Sequence, residues 1–206
     1  MKKNKLNMIF GNSDSFKTIF ILNKIKTLIK EEDKKVAFIT IDNENDMIEK
    51  TFHCIYNEMA VDTVKLNHKT FKPVGLKIPD NFYSIDWVKK FESLENNINK
   101  MFESDTKPDY IFIDNLNLID IKNDNYNHKL ELIFNKLNEL AEKNKVTIVG
   151  TFNVLKISDY DIDDYSDYDS IAEKFFLKRK SSSLKVYWKT NVQKFKLDKN
   201  NLTLTY

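Results

Sequence analysis

Residues 11–18 read G-N-S-D-S-F-K-T and stand between two apolar segments of different periodicity. Before them, Leu6–Phe10 is a short apolar run, which predicts a buried strand. After them, Lys17–Lys30 has the spacing of an amphipathic helix. Four apolar side chains recur on one face of that helix: Ile19, Leu22, Ile25 and Ile29. Residues 11–18 are therefore predicted to form a strand-to-helix loop.

This loop follows the Walker A pattern G-x-x-x-x-G-K-[ST] except at its second glycine, where Phe16 stands. Such loops turn backbone N–H groups around phosphates at a helix N-terminus. Lys17 would place a positive charge on the β- and γ-phosphates, and Thr18 would give its hydroxyl to Mg²⁺. The alternative is an ordinary strand-to-helix turn. The predicted nucleotide-binding residues are Gly11, Asn12, Ser13, Asp14, Ser15, Phe16, Lys17 and Thr18.

Downstream, short apolar runs alternate with helical segments, which predicts an α/β fold with a mostly parallel sheet flanked by helices. The predicted strands are Val36–Ile41, Thr63–Leu66, Tyr110–Ile113 and Val146–Phe152. The predicted helices are Glu44–Met59, Ser84–Phe102 and His128–Lys143, and His68–Phe82 is predicted as a loop. Four further strands are expected to close one edge with antiparallel hairpins: Lys174–Leu177, Leu184–Lys189, Val192–Leu197 and Leu202–Tyr206.

Composition narrows the class of protein further. The 206 residues suit one domain, 1–206, with a sizeable core. With 33 basic and 31 acidic residues the chain has no strong overall field, so any nucleic-acid binding must come from a local patch. The one cysteine, Cys54, fits a reducing compartment and packs as a small apolar residue. No apolar run is long enough to cross a membrane, and no signal peptide is expected.

A second motif ends the strand that reads Y-I-F-I-D, residues 110–114. Four apolar residues followed by an acid are typical of a Walker B strand. A carboxylate on a buried strand is costly without a partner, so Asp114 is predicted to hold Mg²⁺ opposite Thr18, through water. The three histidines have no metal-ligand spacing, and no nucleophile triad is evident.

Together these motifs resemble the RecA superfamily. G-x-S-x-S-F-K-[ST] is similar to the phosphate loop of bacteriophage UvsX recombinases, which also carry Phe before the Lys, and I-D-N-L-N-L, residues 113–118, is similar to their I-D-S-L-x-N-L. It resembles I-D-Y-L-Q-L of DnaB-type helicases less closely. The resemblance implies a RecA-like P-loop ATPase core that uses ATP and Mg²⁺.

The resemblance also implies further catalytic residues. Glu44, in I-D-N-E, matches the glutamate that polarises the attacking water, and Asp42 would take this role in a DnaB-type alignment. The alternative is helix capping, in which Asp42 or Asn43 caps the next helix and acidic residues lie in its first turn. The fourth strand of the family ends in a polar sensor, and the matching positions here are Thr151 and Phe152. Because Phe152 cannot hydrogen-bond, the coupling of hydrolysis to DNA is in question.

Two charged segments are relevant to the binding of DNA and of neighbouring subunits. Residues 158–169 contain six aspartates where the family binds DNA, which favours a solvated acidic loop. A nucleic-acid loop whose tyrosines stack on bases and an acidic partner-docking segment are the alternatives. In residues 185–196, Lys189 matches a lysine of the family that reaches the ATP of the neighbouring subunit. Asn191 occupies the position of the family's second cation, and Lys194 could substitute for that cation. An exposed basic edge strand is the alternative. Lys178, Arg179, Lys180 and Lys185 form a basic patch that could contact phosphates.

The sequence thus predicts a UvsX-like ATPase of DNA recombination or replication, of phage or mobile-element type. Glu44, Lys17 and Lys189 would be catalytic. Its partners would be ATP, single-stranded DNA, other recombination or replication proteins, and copies of itself in a filament or ring. The expected location is the cytoplasm, that of the host for a viral protein. A non-catalytic RecA-fold accessory module and a DnaB-like helicase core are the alternatives.

Overall fold

The computed structural model describes residues 1–41, 45–63, 78–85, 89–103, 107–121, 126–154, 168–181, 183–188 and 191–205. The strands are β1 Leu6–Gly11, β2 Val36–Thr40, β3 Phe82–Ile85, β4 Tyr110–Asp114, β5 Thr147–Asn153, β6 Ile171–Lys180, β7 Ser183–Trp188, β8 Asn191–Leu197 and β9 Leu204–Thr205. The α-helices are α1 Lys17–Glu32, α2 Asn45–Asn57, α3 Phe91–Glu103 and α4 Tyr126–Asn144; Val61–Thr63 and Leu116–Leu118 form short 3-10 helices.

The strands form one sheet in the order β3-β2-β4-β5-β1-β6-β7-β8-β9. The first six strands in this order pair in parallel, and β7, β8 and β9 continue the sheet with antiparallel pairs. In a parallel sheet all strand carboxyl ends meet at one edge, where such folds bind their ligands. The register places Gly11 of β1 beside Asn153 of β5 and beside Leu177 of β6 at that edge.

Helices cover both faces of the sheet, and β1, β2 and β4 are therefore buried along their whole length. On one face, Ile21, Leu22 and Ile25 of α1 pack with Phe52 of α2 against the sheet. On the other face, α3 and α4 pack through residues such as Leu94 and Phe134. Each fully buried Leu or Ile contributes about 2 kcal/mol of transfer free energy. The predicted α/β fold, with a parallel centre and antiparallel C-terminal strands, is confirmed.

One predicted boundary was wrong. Ser84 and Ile85 were expected to begin a helix, but they belong to β3, which pairs in parallel with β2 at the sheet edge. The helix α3 begins only at Phe91. The aromatic and β-branched residues of F-Y-S-I favour a strand, but a run of four residues is too short for its periodicity to be distinguished from that of a helix.

Two smaller differences concern strand ends. Thr63, expected to open a strand, lies in a 3-10 helix, and residues 64–66 lie outside the described part of the chain. The last predicted strand, Leu202–Tyr206, shortens to β9. Within the described residues, the structure holds no helix that is both long and apolar enough to span a membrane.

Candidate nucleotide-binding site

The loop after β1 is a tight turn built around Ser15. The Ser15 backbone N–H donates to the Asn12 carbonyl at 3.1 Å, and the Ser15 hydroxyl donates to the same oxygen at 2.7 Å. A Cβ atom on Gly11 would lie 2.2 Å from the Ser15 Oγ atom. A side chain at position 11 would displace the Ser15 hydroxyl from its hydrogen bond and would come within 3.1 Å of the Leu177 carbonyl oxygen, so the motif's first glycine has a steric role here.

Phe16 precedes α1 in a left-handed backbone conformation, with φ 59° and ψ 28°. This conformation costs a residue with a side chain about 1–2 kcal/mol and explains the usual glycine at this position. The Phe16 side chain makes no capping hydrogen bond, and the first turn of α1 contains no acidic residue. The free N–H groups and the positive dipole end of α1 are therefore available to an anion.

Lys17 is buried at the start of α1 and points back across the loop. Its ammonium donates to the Gly11 carbonyl at 3.1 Å, to the Asn12 carbonyl, and to the Ser15 hydroxyl at 3.3 Å. Burial lowers its pKa from 10.5 to about 8, and the nearby carboxylates of Asp114 and Asp14 oppose this shift. A partly desolvated cation held by neutral oxygens can exchange them for a stronger partner such as phosphate.

Asp114, at the carboxyl end of β4, joins the loop to the centre of the sheet. The Thr18 hydroxyl donates to its Oδ2 atom at 2.5 Å, and the Thr151 hydroxyl of β5 donates to its Oδ1 atom. Asp114 and Thr151 are both buried. The Asp114–Asn115 peptide bond is cis, and the Asn115 side chain accepts a hydrogen bond from the Asn117 N–H at 2.9 Å. A hydroxyl and a carboxylate thus meet at the N-terminus of α1, a pair of oxygen ligands that suits Mg²⁺.

The end of β5 differs from the sequence-based expectation. Phe152 packs into the core on the face of α3 and α4, whereas Asn153 lines the pocket beside the phosphate loop. The Asn117 side chain fixes the Asn153 backbone, since it accepts from the Asn153 N–H at 2.5 Å and donates to its carbonyl at 3.0 Å. Side chains alternate along a strand, so Thr151 and Asn153 point to the face opposite that of Phe152. Asn153 is therefore a polar residue of the pocket that the sequence analysis did not single out.

Arg179, the one arginine of the chain, also belongs to this site. Its guanidinium carbon lies 4.1 Å from the Phe16 ring centroid, and its Nη1 atom donates to the Asp14 carbonyl at 3.3 Å. Because β6 extends past the end of β1, Arg179 lies over the loop on the same face as Leu177, which packs towards α1. Sequence analysis placed it only in a basic patch.

These groups surround an open pocket of about 290 Å³, lined by the phosphate loop, the start of α1, Asp114, Asn115, Asn153 and Arg179. Its chemistry fits a nucleotide phosphate with Mg²⁺: helix N–H groups and two cations for the anion, and a Thr–Asp oxygen pair for the metal. Glu44, Asp42 and Lys189 lie outside the described residues, as does nearly all of the acidic segment 158–169. Asn191 and Lys194 lie on β8 and are exposed.

The fold is the RecA-like P-loop fold, which the chain shares with DnaB-like ATPase domains. It superimposes on a solved structure described as a DnaB-like replicative helicase and its interactions with primase, with TM-score 0.75, 12% identity and coverage of 98% of this chain. It also superimposes on a second solved structure, described as an ATPase domain, with TM-score 0.74, 12% identity and the same coverage.

The chain spans 57% of the first relative's length and 85% of the second's. No family model matches the sequence, and no curated protein matches it. The more distant of the two resemblances drawn from the motifs, to DnaB-type ATPase domains, is the one seen in the fold. The closer likeness to UvsX recombinases stays a prediction.

Proposed function

We propose that this chain is a Mg²⁺-dependent ATPase core that acts on DNA in replication or recombination. One observation carries the proposal: Lys17 and Thr18 begin α1 directly opposite Asp114, with Thr18 hydrogen-bonded to that carboxylate at 2.5 Å. Lys17, the α1 N-terminus and Arg179 would bind the phosphates, and Thr18 with Asp114 would hold Mg²⁺. The metal would neutralise charge that develops on the transferred phosphoryl group.

Hydrolysis needs a residue that orients the attacking water. We assign this role to Glu44, which follows β2 by four residues, with Asp42 as the alternative. We assign Lys189, between β7 and β8, to the ATP of a neighbouring subunit in a ring or filament. These assignments make separate demands: Glu44 is required for turnover but not for binding, and Lys189 is required only in the assembled state.

The test is ATP binding by calorimetry and ATP turnover, each with and without single-stranded DNA. Lys17→Ala is expected to weaken ATP binding at least tenfold, whereas Lys24→Ala, two turns along the same helix, should leave it unchanged. Glu44→Gln should retain binding and lose about 100-fold in turnover. Failure of the wild-type chain to bind ATP with Mg²⁺ would exclude the proposal.

Two versions of this function differ in assembly. The similarity to the two ATPase domains favours a DnaB-type motor core, for which we expect hexameric rings with ATP and separation of forked DNA strands. Phe16 in the phosphate loop favours a UvsX-type recombinase, for which we expect filaments on single-stranded DNA. Native mass spectrometry and electron microscopy with ATP and DNA distinguish these versions. Nucleotide binding without turnover in either assembly would instead indicate an accessory module.

A further inference from the structure

Charge is divided unevenly along this chain. Residues 171–205, which form β6 to β9, contain nine basic and two acidic residues, whereas the whole chain contains 33 and 31. This segment therefore carries a formal charge of +7, and the rest of the chain carries −5. A modest net charge conceals a strongly basic C-terminal part of the sheet, which is the local patch that nucleic-acid binding would require.

Six of the basic residues lie on one face of the sheet, namely Lys174 and a group of five that we call the lysine face: Lys178, Lys180, Lys185, Lys194 and Lys196. The register establishes this arrangement, because directly opposed residues point to the same side. Lys178 is opposite Lys185, and Lys185 is opposite Lys194, so three lysines form a row across three strands. Lys180 and Lys196 form a second row, with Ser183 between them.

On the other face of these strands, β6 and β7 contribute buried apolar residues. Leu184 and Val186 flank Lys185 along β7 and therefore point to the side opposite the lysine face, where they pack with Leu177 towards α1. The lysine face lies on the opposite side, where Lys194 and Lys196 are exposed and Lys185 is half-buried. Within the described residues, Lys185, Lys194 and Lys196 form no ion pair with an acidic side chain.

Folding alone does not account for this row. Like charges directly opposite each other on adjacent strands are destabilising. Lysines on an edge strand can deter edge-to-edge aggregation, and this explanation is adequate for β8, which pairs with β9 only at Lys196 and Leu197. It does not apply to Lys178 or Lys185, which lie on the interior strands β6 and β7. An anion across the row would turn this repulsion into attraction.

We infer that the lysine face binds the phosphate backbone of a nucleic acid, independently of base sequence. The two rows lie about 7 Å apart along the strands, and neighbouring strands lie about 4.8 Å apart. Flexible lysine side chains on such a grid can contact several consecutive phosphates at once. An anionic membrane fits less well, because membrane-surface binding usually adds a buried apolar face, and on the lysine face Val192 is the one exposed large apolar residue among those described.

This inference rests on the proposed function only for the nucleic-acid context, and it names a surface separate from the nucleotide pocket. The experiment uses the full chain without nucleotide. Fluorescence anisotropy measures binding to labelled oligonucleotides of about 20 nucleotides, as single-stranded DNA, duplex DNA and single-stranded RNA, between about 50 and 200 mM NaCl. Comparison of the three dissociation constants shows which form of nucleic acid the chain prefers.

The test variant Lys178→Gln, Lys185→Gln, Lys194→Gln removes the three-lysine row. Its matched control, Lys3→Gln, Lys24→Gln, Lys107→Gln, removes three lysines elsewhere. With five phosphate contacts to a single strand, wild-type affinity should fall about 100-fold between about 50 and 200 mM salt, and with two contacts about sevenfold. At the lower salt concentration we expect the row variant to bind at least tenfold more weakly and the control to change less than twofold.

Thermal stability separates a binding role from a structural one. Removing opposed like charges should leave the melting temperature of the row variant unchanged or higher. Equal loss of binding in both triple variants, no binding by the wild type at the lower salt concentration, or binding to anionic vesicles in preference to nucleic acid would each overturn the inference. So would aggregation of the row variant with unaltered nucleic-acid affinity. Row-dependent binding by a chain that fails to bind ATP would instead count against the proposed ATPase alone.

Discussion

Arg179 lies over the ring of Phe16, with its guanidinium carbon 4.1 Å from the ring centroid, although the two residues are far apart in the chain. The stacking joins the end of β6 to the residue that replaces the second glycine of the phosphate-binding motif. The same guanidinium donates to the Asp14 carbonyl and lies 3.9 Å from the Asp14 carboxylate. Phe16 thus gains a partner that a glycine could not have, which offsets part of the cost of its left-handed backbone.

This contact predicts that Phe16 and Arg179 act as a pair in ATP binding. Phe16→Leu removes the aromatic face, and Arg179→Lys keeps the charge but removes the planar group. A partly exposed cation–π contact contributes about 0.5–1 kcal/mol. Because the contact fixes Arg179 over the pocket before the nucleotide binds, each single variant should weaken ATP binding by at most about two- to fivefold, and the double variant should lose little more than the more affected single variant. Calorimetry over the four proteins of the cycle gives the coupling energy. Strictly additive losses would show that the stacking has no role in binding.

The burial of Lys17 predicts a pH dependence of nucleotide affinity. Its pKa in the free protein is about 8, below the ordinary value of 10.5. Phosphate charges would raise this pKa, so binding above pH 8 should take up a proton. The affinity for ATP should therefore be highest below pH 8, where Lys17 is protonated, and should fall as the pH rises above 8. Calorimetry at about pH 8.5 in two buffers of different ionisation enthalpy measures this uptake, and Lys17→Met should abolish it.

The same burial affects the stability of the nucleotide-free protein. Between pH 8 and 10.5 the unfolded chain holds a proton on Lys17 that the folded chain has released. Stability from this group should therefore rise with pH across that window. Urea unfolding of wild type and Lys17→Met at about pH 7.5 and 9.5 tests the sign. A wild-type stability that falls relative to Lys17→Met over this range would contradict the lowered pKa.

Asn153 is expected to act in turnover more than in binding. It extends from the end of β5 into the pocket, and Asn117 fixes its backbone through two hydrogen bonds. An amide at this position can respond to the terminal phosphate as it leaves. Asn153→Ala should lower the ATP turnover number about tenfold while the affinity changes less than threefold. Phe152→Leu, in the core, is the matched control for β5. An equal loss of affinity and turnover would indicate a simple binding contact.

The parts of the site that the sequence predicts are the local ones. Residues 11–18 and the acid that ends β4 could be recognised because the loop, its flanking strand and helix, and the Walker B run are each continuous in sequence. Arg179 could not, because its position depends on the parallel pairing of β6 with β1. Asn153 was missed by one residue, since a strand buried on both faces has no apolar–polar alternation from which to infer which face points to the pocket. The edge strand β3 was too short for its periodicity to be informative.

Thr151 should stabilise the protein through Asp114. Its hydroxyl donates to Asp114 Oδ1 inside the sheet, where both residues are buried. Thr151→Val keeps the shape of the side chain but leaves that oxygen with one donor fewer, at a cost of about 1–3 kcal/mol in the free energy of unfolding. Urea denaturation measures this cost, and Thr151→Ser, which restores a hydroxyl, should recover part of it. The carboxylate is also the proposed Mg²⁺ ligand, so Thr151→Val should shift the Mg²⁺ dependence of ATP binding. A valine variant as stable as wild type would mean that this hydrogen bond does not hold Asp114 in place.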